Sequence, residues 1–179
     1  MKLLTLVDDY DNMVGESEKL MPHQNRLLHR AFSVFIFNQD GKLLIQQRAA
    51  HKYHSGGLWA NTCCGHPSPH SNVQLEAELR LQEEVGIHAS LHYVGYMIYN
   101  ESVSDSLYEY EYDYIYVGIS DDIPKLNEAE IMDYKYVDIV HIAKLAADQP
   151  EQYAIWFRLL LSSCCMELLY VRNALLNNY

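Results

Sequence analysis

The sequence predicts an α+β chain, a mixed β-sheet sandwiched between helices, with an extra N-terminal strand and helices at the C-terminus. Three observations lead there. Strand patterns dominate the first two thirds, a segment of helical spacing interrupts them at 73–85, and the last quarter is helical. At 179 residues the chain fits one domain, 1–179, large enough to bury a core.

“KLLTLVD” opens as a strand and “DYDN” turns it. “AFSVFIF” (31–37) and “KLLIQQR” (42–48), joined through “NQDG”, read as a hairpin. The loop “AAHKYHSGG” leads into “WANTCCGHP” (59–67). Ser71 or Asn72 can cap a helix over “VQLEAELRLQEEV”, with Leu75, Leu79 and Leu81 or Gln82 on one side and Gly86 as its stop. Two long strand patterns follow, “ASLHYVGYMIYNES” and “YEYEYDYIYVGIS”, joined by “VSDS”. “YKYVDI” is one more strand. A helix near “IVHIAKLAAD” and another from about Glu151 to Leu176 finish the chain.

The net charge of −11 argues against nucleic acid and anionic membranes as partners. A small anionic substrate remains compatible, provided local Lys, Arg or metal offsets the field. The apolar tract “YAIWFRLLLSSCCMELLYV” carries Arg158 and Glu167 and reads as a core helix rather than a membrane span. No stretch reads as a signal peptide. Four cysteines in two vicinal pairs, Cys63-Cys64 and Cys164-Cys165, have no disulfide-framework spacing. A reduced, cytoplasmic protein is expected, with no obligate protein partner evident.

Strict alternation in “YEYEYDYIY” (108–116) sends five tyrosines to one face and Glu109, Glu111 and Asp113 to the other. Alone, that pattern reads as a solvated carboxylate face over packed tyrosines. Histidines shift the reading. His23, His29 and His66 with Glu109 and Glu111 would make a site for a borderline divalent ion. His51, His54, His70, His88, His92 and His141 read as ordinary polar residues. In “LRLQEEVGI” (79–87), Glu83-Glu84 before Gly86 resembles the end of a Nudix box, whose helix carboxylates hold magnesium on a diphosphate. The hydrolytic Arg-Glu pair is missing, since Leu79 and Arg80 stand there, and Ser71 replaces the upstream glutamate. Lys19, Arg48, Lys52 and Arg80 lie near these motifs and could neutralise a diphosphate alongside magnesium.

In order and spacing, “LLHRAFSVFIFN” with “LLIQQR”, “YHSGGLWANTCCGHP”, “LQEEVGI” and “YEYEYD” resemble the type I isopentenyl-diphosphate isomerases, which have a Nudix fold. The resemblance spans roughly 15–160. It implies interconversion of isopentenyl and dimethylallyl diphosphate by a protonation and a deprotonation through a tertiary carbocation. It implies Cys64, Glu111 and Tyr99 as catalytic groups, and Trp156 with Tyr99 around the hydrocarbon. It also implies one divalent metal, Mn2+ or Zn2+, on His23, His29, His66, Glu109 and Glu111. Mg2+ would sit on Glu84 with the substrate diphosphate, which Lys19, Arg48, Lys52 and Arg80 would bind. Cys63 would point away and pack. A Nudix hydrolase and a non-enzymatic binding relative are the competing readings. Leu79 and Ser71 disfavour the first, and the joint presence of Cys64, Tyr99, Glu111 and Trp156 disfavours the second.

Overall fold

The structure is a computed structural model that describes residues 3–52 and 54–177. Lys2 of the expected first strand and Tyr53 of the central loop lie outside them. In chain order the elements are β1 (Leu3–Val7), β2 (Met13–Glu18), α1 (Leu20–Asn25), β3 (His29–Phe37), β4 (Leu43–Arg48), β5 (Trp59–Ala60) and β6 (Cys63–Gly65). Then follow α2 (Val73–Val85), β7 (His92–Ser104), β8 (Leu107–Ile119), β9 (Ile131–Val137), α3 (Ile139–Asp148) and α4 (Ile155–Leu176). The nine strands join in one mixed sheet.

Two-residue periodicity makes β3 the centre of that sheet. Phe32, Val34 and Ile36 face α2, where they meet Ala77, Leu81 and Val85. Phe35 and Phe37 face the other way, against Ile139 and Ile142 of α3 and Phe157 and Leu160 of α4. Helices therefore cover both faces, as the sequence predicts. Each such fully buried aromatic or aliphatic side chain contributes about 1.5–3 kcal/mol.

Parallel β8 pairs with β3 from His29 to Phe37 and so fills one edge of it. β1, β6 and β4 must share the other edge. The expected hairpin between β3 and β4 is real only at its turn, where Phe37 meets Leu43; beyond that point the strands diverge. β4 instead takes antiparallel β9 along its length. The “WANTCC” segment fills the split, β5 lying on β4 and β6 on β3. Between them Thr62, fully buried, accepts from Ile36 N–H at 2.9 Å and donates to the Leu44 carbonyl at 2.6 Å. These are backbone groups that an unbroken hairpin would have paired with each other.

The helix α2 starts on Asn72, whose side chain accepts from Leu75 N–H, and stops on Gly86 in the left-handed region. A Cβ at Gly86 would also lie 2.8 Å from the Lys125 backbone carbonyl oxygen, so only glycine fits. The buried side of α2 differs from the expected one. Ala77, Leu81, Glu84 and Val85 face the sheet, whereas Leu75 and Leu79 are each 55% exposed. The registers differ because a buried carboxylate, Glu84, takes a place that leucine spacing alone would not assign. β2 and α1, absent from the sequence reading, extend the sheet and lead into β3. The final helix begins at Ile155 rather than Glu151, since Pro150–Gln152 forms a separate 3₁₀ turn. α4 is long and apolar enough to cross a membrane by length and composition alone. Its Trp156, Phe157, Leu160, Leu161 and Leu168 are nevertheless buried within this fold.

Thr62→Val should expose the importance of the split. It keeps the side-chain shape but leaves a buried N–H and a buried carbonyl unpaired, costing about 2–4 kcal/mol. Urea unfolding measures this, and a loss below about 0.5 kcal/mol, the scale of an ordinary surface change, would refute the role.

Candidate active site

The face of β3 and β8 that buries Phe35, Phe37, Ile115 and Val117 changes chemistry toward the other end of the same strands. Continuing with period two, β3 presents Ser33 and His29, and β8 presents Asp113, Glu111 and Glu109. All five are buried, which reverses the expectation of a solvated carboxylate face. The outward tyrosines supply a packed backing, with Tyr110, Tyr112 and Tyr114 against Val7 and Leu28.

Of these, Ser33, Glu109 and Glu111 open into a cavity of about 330 Å³. His66 follows β6, and α1 and its approach bring His23. The donor atoms of His23, His29, His66, Glu109 and Glu111 all lie within 4.8 Å of one another. Donors about 2.0–2.2 Å from one ion span about 4.2 Å, so small side-chain shifts would close this set on a single metal. Two further observations fit. The Nδ1 atoms of His23 and His29 face the Lys19 and Leu27 carbonyls at 2.7 and 2.8 Å. A carbonyl only accepts, so each Nδ1 carries the hydrogen, and a neutral ring turns its Nε2 lone pair to the cluster. The buried His29 Nε2 and Glu109 Oε2 make no hydrogen bond, an arrangement that costs free energy unless an ion takes those lone pairs.

Glu111 has two different sides. Its Oε1 meets His66 Nε2 at 2.8 Å, while its Oε2 accepts from the Tyr99 hydroxyl. Burial opposes its ionisation, yet the hydrogen bond with the His66 imidazole holds its carboxyl well below the usual range. Burial pushes His66 down to about 4, against the pull of Glu111. His66 is thus a neutral ligand candidate at physiological pH. Asp113 is pushed well up by burial and by Glu111, and receives the Ser33 hydroxyl at 2.8 Å.

Cys63 and Cys64, adjacent on β6, point to opposite faces. Cys63 packs into the core under α2, and Cys64 lines the cavity. Both are free thiols. Burial raises the Cys64 thiol to about 12, only partly opposed by Arg48, so it carries its proton at neutral pH. Trp156, at the start of α4, closes the cavity and donates from Nε1 to Asn61 Oδ1 at 3.1 Å. Arg48 lies 5.1 Å over its ring.

Lys19, Arg48, Lys52, Arg80 and Glu84 line the remaining wall. The 2.8 Å bond from Arg80 to Glu83 and a contact with Glu84 fix the guanidinium along α2. Burial raises the Glu84 carboxyl, which Arg80 offsets in part. Every site residue expected from the sequence therefore meets in this one cavity or in the histidine–carboxylate cluster at its edge.

A NUDIX-domain family model matches residues 27–159. Over 157 residues the chain is 42% identical to isopentenyl-diphosphate Delta-isomerase 2 of Photorhabdus laumondii, covering 88% of this chain and 89% of that one. It is 39% identical over 167 residues to the isopentenyl-diphosphate Delta-isomerase of Burkholderia multivorans, covering 93% and 95%. The chain belongs to the isopentenyl-diphosphate Delta-isomerase family. Solved structures show the fold of this family more widely. A Deinococcus radiodurans crystal structure aligns with a TM-score of 0.74 at 19% identity, over 91% of this chain and 99% of that one. A MutT protein from Methanosarcina mazei aligns at 0.64 and 18%, over 78% and 94%.

Two groups in this isomerase-family cavity escaped the sequence reading. His54 is more than the ordinary polar residue expected. It is buried, with Nε2 3.0 Å from Glu109 Oε1 and its ring edge-on to Trp156. Glu130, before β9, contacts Lys52 and lies 3.0 Å from Arg80 Nη2. Neither stands in a periodic pattern, and only the sheet's long-range pairing brings them in.

The histidine–carboxylate cluster should be separable from Glu84. His66→Ala should lose most of the metal that the purified protein retains through desalting, whereas Glu84→Gln should keep it. Elemental analysis decides. Full retention by His66→Ala would remove His66 from the ligand set.

Proposed function

We propose that this cavity interconverts isopentenyl and dimethylallyl diphosphate, with Cys64 on one wall and the Glu111–Tyr99 pair on another moving the protons. The observation that carries the reading is the Glu111 carboxylate, clasped between His66 and Tyr99 in the cavity that Cys64 enters. The isomerase activity is that of the curated relatives, which match over most of their length. The substrate is thus a small molecule.

The reaction adds a proton to an unactivated alkene, gives a tertiary carbocation, and removes a proton from the carbon on its other side. It needs proton-carrying groups on two sides of a flat hydrocarbon held by its diphosphate. Cys64 and Tyr99 both carry a proton in the substrate-free cavity, and Glu111 is ionised. By microscopic reversibility the two sides exchange roles between forward and reverse directions. The Trp156 ring offers its π face to the developing cation. Trp156 and Phe32 give the cavity an apolar wall, and a hydrocarbon seated against it would displace water, which would otherwise trap that cation as an alcohol.

Lys19, Arg48, Lys52 and Arg80 supply positive charge for the diphosphate, and Glu84 would hold Mg2+ against it. His23, His29, His66, Glu109 and Glu111 would hold the other divalent ion, with Mn2+ or Zn2+ suited to three imidazoles and two carboxylates. A bound ion there would orient Glu111 and tune its acidity. Leu79 and Ser71 leave the hydrolytic part of the Nudix box incomplete, so the diphosphate serves as an anchor and survives the reaction. We place the protein in the cytoplasm on its four free thiols.

In deuterated water with magnesium, isopentenyl diphosphate should give labelled dimethylallyl diphosphate by NMR, with no phosphate released. Stoichiometric phosphate would instead make the protein a hydrolase. Cys64→Ala and Glu111→Gln should each lower kcat by roughly 10²–10⁴-fold or more, because each removes a proton-transfer group. Cys63→Ala should cost about 1–2 kcal/mol of stability and leave kcat within a few-fold. An active Cys64→Ala protein would place the chemistry elsewhere.

A further inference from the structure

Glu130 stands where an anion is needed and is itself an anion. Its Oε2 contacts Lys52 Nζ and lies 3.0 Å from Arg80 Nη2, two of the four Lys and Arg side chains that line the cavity among the described residues. Its backbone is pinned on both sides. Its carbonyl accepts from Ala49 N–H at 2.9 Å, and its N–H donates to the Asn127 carbonyl at 2.8 Å. The carboxylate is only partly exposed and lines the same cavity. Arg80 is compensated a second time by Glu84 and a third by Glu83 outside. Lys52 and Arg80 are therefore already compensated by the protein's own carboxylates.

We propose that Glu130 is a specificity-determining residue that makes this wall accept a magnesium-complexed diphosphate and reject a free one. The proposal rests on the diphosphate reading of the cavity. An uncomplexed diphosphate reaching Lys52 and Arg80 must break the two ion pairs of Glu130. It then lies beside both Glu130 and Glu84, like charges in a poorly solvated place. A divalent ion between phosphate oxygens and these carboxylates removes that repulsion and lets the cations be shared. Selectivity thus comes from a resident competitor, not from an added attraction.

Inorganic diphosphate is the probe, titrated calorimetrically into protein loaded at the histidine site, with and without magnesium. Metal content is measured before and after. Wild type should bind strongly only with magnesium. Glu130→Gln keeps the shape but not the charge, so magnesium-free diphosphate should bind at least about tenfold tighter. The preference for the magnesium complex should fall by a similar factor. Glu130→Asp, which withdraws the carboxylate by one methylene, should move the same way if the glutamine variant proves unstable. Glu83→Gln removes a 60%-exposed carboxylate from the same arginine and should change either affinity by less than about threefold. A Glu130→Gln protein with wild-type preference overturns the proposal, as does an equal effect from Glu83→Gln. If no protein binds diphosphate under either condition, the anchor itself is misread.

Discussion

The separation of β3 from β4 is the constraint on which the cavity depends. Two strands that leave a common turn and then part expose backbone groups on both inner edges, and burying them unpaired would cost several kcal/mol. Asn61 and Thr62 meet that demand. Thr62 joins Ile36 to Leu44, and its carbonyl takes the Gln46 amide at 3.1 Å. Asn61 donates to the Val34 and Cys63 carbonyls and receives Trp156. The residues that close the gap also set Cys64 on one rim and Trp156 on the other.

A cavity of this kind gathers groups that are each unfavourable to bury. Three carboxylates on β8 and four imidazoles lie in or beside it, most with little exposure. Their mutual contacts offset part of the desolvation cost. His66 and Tyr99 serve Glu111, Ser33 serves Asp113, and His54 serves Glu109. The opposite shifts of Glu111 and Asp113, two residues apart on one strand, follow from that division. One has imidazoles beside it; the other has a single hydroxyl and a negative neighbour.

How much of this was legible in the sequence depended on the range of the interaction. Periodicity marked β3, β8 and α3, because burial of one face is written locally. The cap on Asn72 and the stop at Gly86 were legible for the same reason. The hairpin at 31–48 was legible only at its turn, since nothing in either strand says that a segment ten residues later will enter between them. The buried side of α2 was misjudged because Glu84 replaces an apolar residue at an inward position. The cysteine, histidine and glutamate sets could be named through family resemblance, while His54, within a matching motif but given no role by it, and Glu130, outside the motifs, needed the folded chain.

The five possible metal ligands come from three distant stretches, near positions 23–29, 66 and 109–111. His23 lies on α1, His29 starts β3, His66 follows β6 and the two glutamates sit on β8, so the unfolded chain offers no such constellation. An ion bound by all of them would act as a removable cross-link, closing two long loops and stabilising only the folded chain. Loading would then follow folding. Ion release would report opening of the sheet's centre, where β3, β6 and β8 meet, rather than fraying of the outer strands β2 and β9.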